Sequence, residues 1–363
     1  MNKNLANNLK FNFENSEFTE IFNSKFGSLN LKVQFINYNI RNKNRDSEYS
    51  LKTLFSNFLS YTKALISERD SDKQDIIIIS RNRFIRSKID GKEIYKEYLF
   101  NTIVDRLEKE KPGIDYRTVI MSSKPSEKLF RKVSFLSNYL NPNVVLKSFL
   151  YSIKINRMWH KFFRKNKSKI KSATEINEFF TFRNLMKMSL TSFLVEEVFT
   201  CHEPKVVLMN DDCMWTKPQH RKKFTSIVLQ SALITEEKRL RATISNDVTL
   251  KSDCYIVSGE KYSSEDSIMA HKTIVTGQPR YDNLYNISNK SKKSNILKDS
   301  SIPIQNKIIL WGTQFHTMNK NEIITSIFSV FESIKNLDGA YLLIKQHPSE
   351  KSVHKDIIST ISE

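Results

Sequence analysis

Residues 74–82 read QDIIIISRN, and the four consecutive isoleucines Ile76–Ile79 decide the fold. Four β-branched side chains in a row suit a strand. A strand with one wet face alternates apolar and polar residues. An unbroken run has no wet face, so it belongs in a sheet covered on both sides, as parallel sheets are.

Further along, the same signal recurs. YRTVIMSS (116–123), EPKVVLMNDD (203–212), TSIVLQSA (225–232), CYIVSG (254–259) and TIVTG (273–277) each read as a buried strand. Helical spacing is expected between them, over Glu93–Lys109 and Ser172–Phe199. Strands that alternate with helices point to βαβ units and a Rossmann-like sheet. After a Ser/Lys-rich stretch the alternation restarts. KIILWGTQ is a strand, Lys320–Asn336 a helix, AYLLIKQHP a strand, and Ser352–Ser362 opens another helix.

These patterns divide the chain. Residues 1–70 are Asn-rich and read as an N-terminal helical extension, with an amphipathic helix over Ser50–Ile66. Residues 71–286 form a Rossmann-like domain with a basic helical insertion over about 125–200. Residues 287–306 hold five Ser, four Lys and one Pro and read as a linker. Residues 307–363 form a second, partial Rossmann-like domain. A length of 363 residues agrees with two domains and an extra segment.

The net charge is +19, from 58 basic and 39 acidic residues, which favours anionic partners. From Lys128 to Thr174 there are 12 Lys or Arg and no acidic residue. Within that run, Phe149, Leu150, Ile153, Met158, Trp159, Phe162 and Phe163 fall near one helical face. Lys154, Arg157, Lys161, Arg164 and Lys165 fall largely on another. Residues 147–171 thus have the pattern of an interfacial helix on an anionic membrane surface. A core-packed helix with a solvated face, or a nucleic-acid contact, would use the same pattern. No nucleic acid is expected as a partner. Cys201, Cys213 and Cys254 form no CxxC pair, which fits a reducing cytoplasm. A metal site at Cys201-His202 is the weaker reading, and none is expected. No apolar leader opens the sequence and no run of about 18 apolar residues occurs, so a cytoplasmic location is expected, with a peripheral one on the inner membrane face as the variant.

Several stretches can carry chemistry, and each closes a strand. In an open α/β sheet, ligands bind outside the carboxyl ends of the strands. In VTGQPRYD, Gly277 permits a positive φ, Pro279 stops the strand, Arg280 offers a planar fork for phosphate or carboxylate, and Asp282 can accept from Arg280 or cap a short helix. A plain strand–turn–helix with an ion pair reads equally from these residues. In LLIKQHP, Lys345 and His347 share one side of a strand end, where a point charge and an imidazole can meet phosphate. In LWGTQ, Gly312 and Thr313, with Gln314 beyond, end a strand before a helix, and no P-loop or GxGxxG motif occurs. Asp211 and Asp212 sit where a catalytic acid or a helix cap would sit.

The ordered set TGQPRYD (276–282) and KQHP (345–348), over about residues 200–350, resembles the GT-B-like polysaccharide biosynthesis proteins. These include CDP-glycerol glycerophosphotransferases, capsule polysaccharide transferases and UDP-N-acetylglucosamine 2-epimerase-like relatives. The resemblance implies two Rossmann-like domains with a nucleotide-activated sugar or CDP-polyol donor between them. It implies transfer to a glycan or lipid-linked acceptor, of inverting type, with no bound cofactor. It places His347, Lys345, Thr313 and Gln314 toward the donor phosphate. Gly277, Pro279, Arg280 and Asp282 become the turn beside the cleft, and Asp211 the candidate base. Two departures keep other readings open. Gln230-Ser231-Ala232 stands where the family carries Gln-His-Gly. Few residues follow His347, so the second domain is expected to be incomplete, as in a truncated chain. An epimerase-like isomerase, or a degenerate non-catalytic fragment that binds a membrane or partner, are the alternatives.

Overall fold

The computed structural model describes residues 72–80, 84–89, 92–97, 99–121, 132–166, 177–210, 224–230, 252–260, 270–282, 307–313 and 320–345. The chain divides into two compact units, Met1–Asp282 and Asn283–Glu363.

The first unit is built on a parallel sheet of seven strands. In chain order they are β1 (Ile76–Ser80), β4 (Tyr116–Ile120), β5 (Val133–Phe135), β6 (Val206–Asn210), β7 (Thr225–Leu229), β8 (Ser252–Val257) and β9 (Ala270–Val275). A separate antiparallel ribbon, β2 (Phe84–Ile89) and β3 (Lys92–Glu97), stands between β1 and β4 in sequence. The sheet order is β5-β4-β1-β6-β7-β8-β9, and every neighbouring pair is parallel. Counting only sheet strands, this is the doubly wound order 3-2-1-4-5-6 with a seventh strand added at one edge. The chain reverses direction of travel between β1 and β6, so the switch point lies there.

The isoleucine run behaves as its composition demands. Ile77 and Ile79 enter one core with Val119, Val207 and Met209, while Ile78 enters a second core on the opposite face. Helix α1 (Asn101–Glu110) covers the second face through Ile103 and Val104. Helices α2 (Pro142–Asn166) and α3 (Phe182–His202) cover the first. Fully burying one such side chain contributes about 1.5–3 kcal/mol.

Helices α2 and α3 run antiparallel and approach closely because small residues meet between them. Ser148, Ser152 and Ser189 are buried. Ser148 and Ser152 donate to the carbonyls of Val144 and Ser148, both at 2.7 Å, and Ser152 meets Ser189 at 3.1 Å. Buried hydroxyls thus find partners without a large side chain between the helices. Trp159 closes the far end. It stacks on Phe180 at 4.2 Å and donates from Nε1 to Asn177 at 2.9 Å. Thr181 caps the start of α3, and Glu203 ends it in the left-handed region at φ 45°.

Three expectations change. The helix expected over Glu93–Lys109 starts only at Asn101, because residues 92–97 pair with 84–89. The register Ile89↔Lys92 leaves the dipeptide Asp90-Gly91 between the strands, a sequence signal for a tight hairpin. Strand β5 lies inside the stretch expected to be helical, and its three residues are too few to show a period. The apolar face of α2 divides, with Phe149 and Leu150 exposed and the later residues in the core. Trp159 is fully buried, and Met158, Phe162 and Phe163 pack against the same cluster. The N-terminal extension, the 287–306 linker and the helix after His347 lie outside the described residues.

The second unit contains one βαβ element. Strands β10 (Lys307–Gly312) and β11 (Ala340–Lys345) pair in parallel, with helix α4 (Lys320–Ile334) between them in sequence. Ile323 and Ile327 are its buried core, joined by Trp311 and Phe331. Leu310, Phe328, Leu337 and Tyr341 are exposed.

Candidate functional site at the strand ends

The switch point of the seven-stranded sheet is closed by polar side chains. Strand β1 ends on Ser80 and β6 on Asn210, both buried. The register Ile79↔Met209 sets them at the same level of adjacent strands. Alternation puts both on the α1 side, the face that also takes Ile78. Ser80 donates to Glu97 Oε1 at 2.5 Å. Glu97 is the last residue of β3, and its Oε2 accepts from the backbone N–H groups of Leu99 and Phe100 at 2.7 and 2.5 Å. The ribbon therefore delivers a carboxylate to the entry of α1. In dinucleotide-binding sheets that place, the first helix head after β1, holds pyrophosphate. Here this chain's own anion takes the two N–H groups just before the helix, those of Leu99 and Phe100.

Next along the rim, Gln230 follows β7 and is buried. Its backbone N–H donates to Ile256 at 2.9 Å. Its Oε1 accepts from Ser258 N and Oγ at 2.8 and 2.9 Å. Its carbonyl accepts from Gln278 Nε2 at 2.5 Å. One glutamine thus ties the ends of β7, β8 and β9. Because Gln278 must point Nε2 at a carbonyl, its Oε1 is the atom left over. That oxygen is buried and has no hydrogen-bond partner among the described residues; the same holds for Oδ1 of Asn210, which is 7 % exposed. Both leftover atoms are acceptors, and a buried acceptor without a donor costs about 1–3 kcal/mol. A ligand hydroxyl or N–H would complement them.

The turn after β9 is as its sequence suggested. Gly277 has φ +85°, and a Cβ added there meets nothing within 4 Å, so the conformation and not crowding demands glycine. Pro279–Tyr281 form a 3-10 turn, held by Tyr281 N donating to the Gln278 carbonyl at 2.9 Å. Asp282 lies 3.8 Å from Arg106 of α1, an exposed pair of small energetic weight. The backbone of Arg280 lies in this turn.

In the second unit, Thr313 and Lys345 are brought together. Gly312 and Lys345 are register partners, and Thr313 N donates to the Lys345 carbonyl at 3.0 Å. Thr313 is buried and Lys345 exposed at the carboxyl end of the pair. Asp211, Gln314 and His347 lie outside the described residues.

The Cys201-His202 metal reading fails on geometry. His202 is buried with both nitrogens committed: Nδ1–H donates to the Asp72 carbonyl and Nε2 accepts from Tyr139 OH, each at 2.6 Å. No lone pair is left for a metal. Among the described residues no group of His, Cys, Asp and Glu suits a metal ion. Burial pushes the Cys254 thiol above its usual range, the direction opposite to a reactive thiolate.

Sequence reasoning missed Ser80, Glu97, Asn210, Ser258 and Gln278. A signal was present: IIIIS, VVLMN, SIVLQ and YIVS each close an apolar run on one amide or hydroxyl. Glu97 was hidden because its segment was read as helix. No family model matches the chain, and no curated protein matches it. The fold itself defines the class: an α/β protein on a doubly wound, Rossmann-like parallel sheet flanked by helices.

Proposed function

We propose that the chain is a GT-B-like transferase, moving a sugar or a polyol phosphate from a nucleotide-activated donor to a glycan or lipid-linked acceptor at the inner face of the membrane. The observation that supports this is the carboxylate of Glu97 at the entry to α1. With Glu97 on the Leu99 and Phe100 N–H groups, the first βα crossing is a poor phosphate site. A donor diphosphate is then left to the second unit, at the end of β10 and β11 where Thr313 meets Lys345. Lys345 supplies charge there, Gln314 directly follows Thr313, and His347 stands two residues after Lys345. Helix ends and basic residues stabilise a leaving diphosphate without a metal.

The rim of the seven-stranded sheet suits the other substrate. Its acceptors with no partner among the described residues match the hydroxyls of a glycan. Asp211 directly follows Asn210 at the switch point and is the candidate base for the attacking hydroxyl's proton. Gly277, Pro279 and Arg280 shape the turn at the end of the first unit. With a sugar donor, the acceptor hydroxyl attacks the anomeric carbon and a nucleoside diphosphate leaves. With a CDP-polyol donor, it attacks phosphorus and CMP leaves.

The test incubates the full chain with UDP-N-acetylglucosamine or CDP-glycerol and membrane lipid extract, and identifies the nucleotide released. UDP or CMP, lost in Lys345→Ala and His347→Ala, supports transfer. A 2-epimerised UDP-sugar assigns the isomerase reading instead. Intact donors throughout reject both.

A further inference from the structure

The outward face of α2 is unusual for a helix whose other face is core. Val144, Tyr151, Ile155 and Trp159 point inward and are buried. On the opposite side the first half of the helix is apolar. Leu146 and Leu150 are each 56 % exposed and Phe149 is 45 % exposed, and Ile153 continues the row. Phe182, 40 % exposed at the start of α3, joins them through an edge contact with Phe149 at 5.7 Å. Further along the same side the helix becomes basic, with Arg157, His160, Lys161 and Arg164 all exposed. Lys147, Lys154 and Lys165 flank the row, and Arg183 and Lys187 are exposed on α3. Helix α2 holds six Lys or Arg and no Asp or Glu. The nearest exposed acid in sequence on the α3 side is Glu178.

We infer that this face of α2, with Phe182, docks on an anionic lipid surface. No described helix is long and apolar enough to cross a membrane, so contact is in the plane of the surface. A bilayer offers an apolar layer beneath an anionic one, which matches Leu146, Phe149 and Leu150 beside a row of cations. A second copy of the chain offers the same positive charge and is repelled. An acidic polymer matches the cations and leaves the exposed Leu and Phe side chains in water. The inference uses only α2 and α3, and its readout is binding, so it stands or falls separately from the transferase reading.

Flotation tests it, with the full chain and vesicles of phosphatidylcholine alone or mixed with phosphatidylglycerol. The chain is expected to float with the mixed vesicles and to be released by raised salt. Arg157→Glu/Lys161→Glu/Arg164→Glu should lower partition by about a hundredfold or more, at roughly fivefold for each cation lost. Leu146→Ser/Phe149→Ser/Leu150→Ser should also lower it, with an unchanged circular dichroism melt. All these positions are exposed, so the fold is retained. Binding to phosphatidylcholine alone, no binding, or wild-type partition in both variants overturns the inference. So does tight binding to duplex DNA that the charge variant loses and the Leu/Phe variant keeps. A dimer in light scattering that the Leu/Phe variant dissolves overturns it in favour of self-association.

Discussion

The two units start from the same kind of sequence and end in different environments. IIII at 76–79 and IILW at 308–311 are equally apolar strand cores. In the seven-stranded sheet Ile77, Ile78 and Ile79 are all buried, because α1 lies on one face and α2 and α3 on the other. In β10, Leu310 is 71 % exposed. An apolar run therefore specifies a strand, while burial depends on how many layers cover it. The strand ends differ too. Those of the first unit are tied to one another by Gln230, Ser258 and Gln278 and capped by Glu97. Those of β10 and β11 meet where the Thr313 N–H donates to the Lys345 carbonyl, beside an exposed Lys345 side chain. Stability is concentrated at the first rim, and the exposed cation at the second.

That contrast breaks most easily in the core. Trp159→Ala removes a buried, stacked and hydrogen-bonded ring and should cost about 3–5 kcal/mol in urea unfolding. Leu310→Ala should change stability by less than about 0.5 kcal/mol. Similar effects at the two sites would contradict the layer argument. Amide exchange gives an independent check: β1 and β6 should exchange more slowly than β10 and β11.

At the rim, Gln230→Ala strands the Ser258 N–H and should cost about 1–3 kcal/mol. A smaller loss is expected for Glu97→Gln, which keeps an oxygen for the N–H groups but exchanges a charged acceptor for a neutral one, roughly 1 kcal/mol. If both are neutral in thermal unfolding, the rim is not tied as described.

The smallest effect belongs to a surface pair at the amino end of the sheet. Lys205 donates to Asp75 at 2.7 Å. This bond, and one from the Asp115 N–H, hold the Asp75 carboxyl below its usual range. The same Asp75 contact raises Lys205. A lowered carboxyl contributes stability above its unfolded value, lost as pH falls through its folded value. A raised amine contributes below its unfolded value, lost as pH rises through its folded value. Stability should therefore dip slightly on the acid side through Asp75 and on the alkaline side through Lys205. Both dips should shrink in high salt, since the pair is exposed. Asp75→Asn should abolish them.

Much of the fold was legible because burial on two faces leaves an unbroken apolar run, and six of the seven sheet strands carry one. Strand β5 was not legible, because VSF is set by its neighbour β4 and not by its own period. The β2–β3 ribbon was masked by Glu and Lys residues with good helix propensity, although Asp90-Gly91 marked its turn. The turn at Gly277 was legible from Gly and Pro alone. The rim was not, since a single Ser, Asn or Gln after a strand is common, and its meaning lies in partners 17 to 48 residues away. A metal site at Cys201-His202 was already the weaker reading, and the engagement of both His202 nitrogens removes it.

On the proposed reading the second unit holds the donor diphosphate and the entry to α1 does not. Calorimetric titration of UDP and CDP into the full chain, and into Lys345→Ala, His347→Ala and Glu97→Gln, tests it most directly. Saturable binding, weakened about tenfold or more by either of the first two changes and untouched by the third, is the expected result. Binding lost in Glu97→Gln but kept in His347→Ala, or no binding at all, would contradict it.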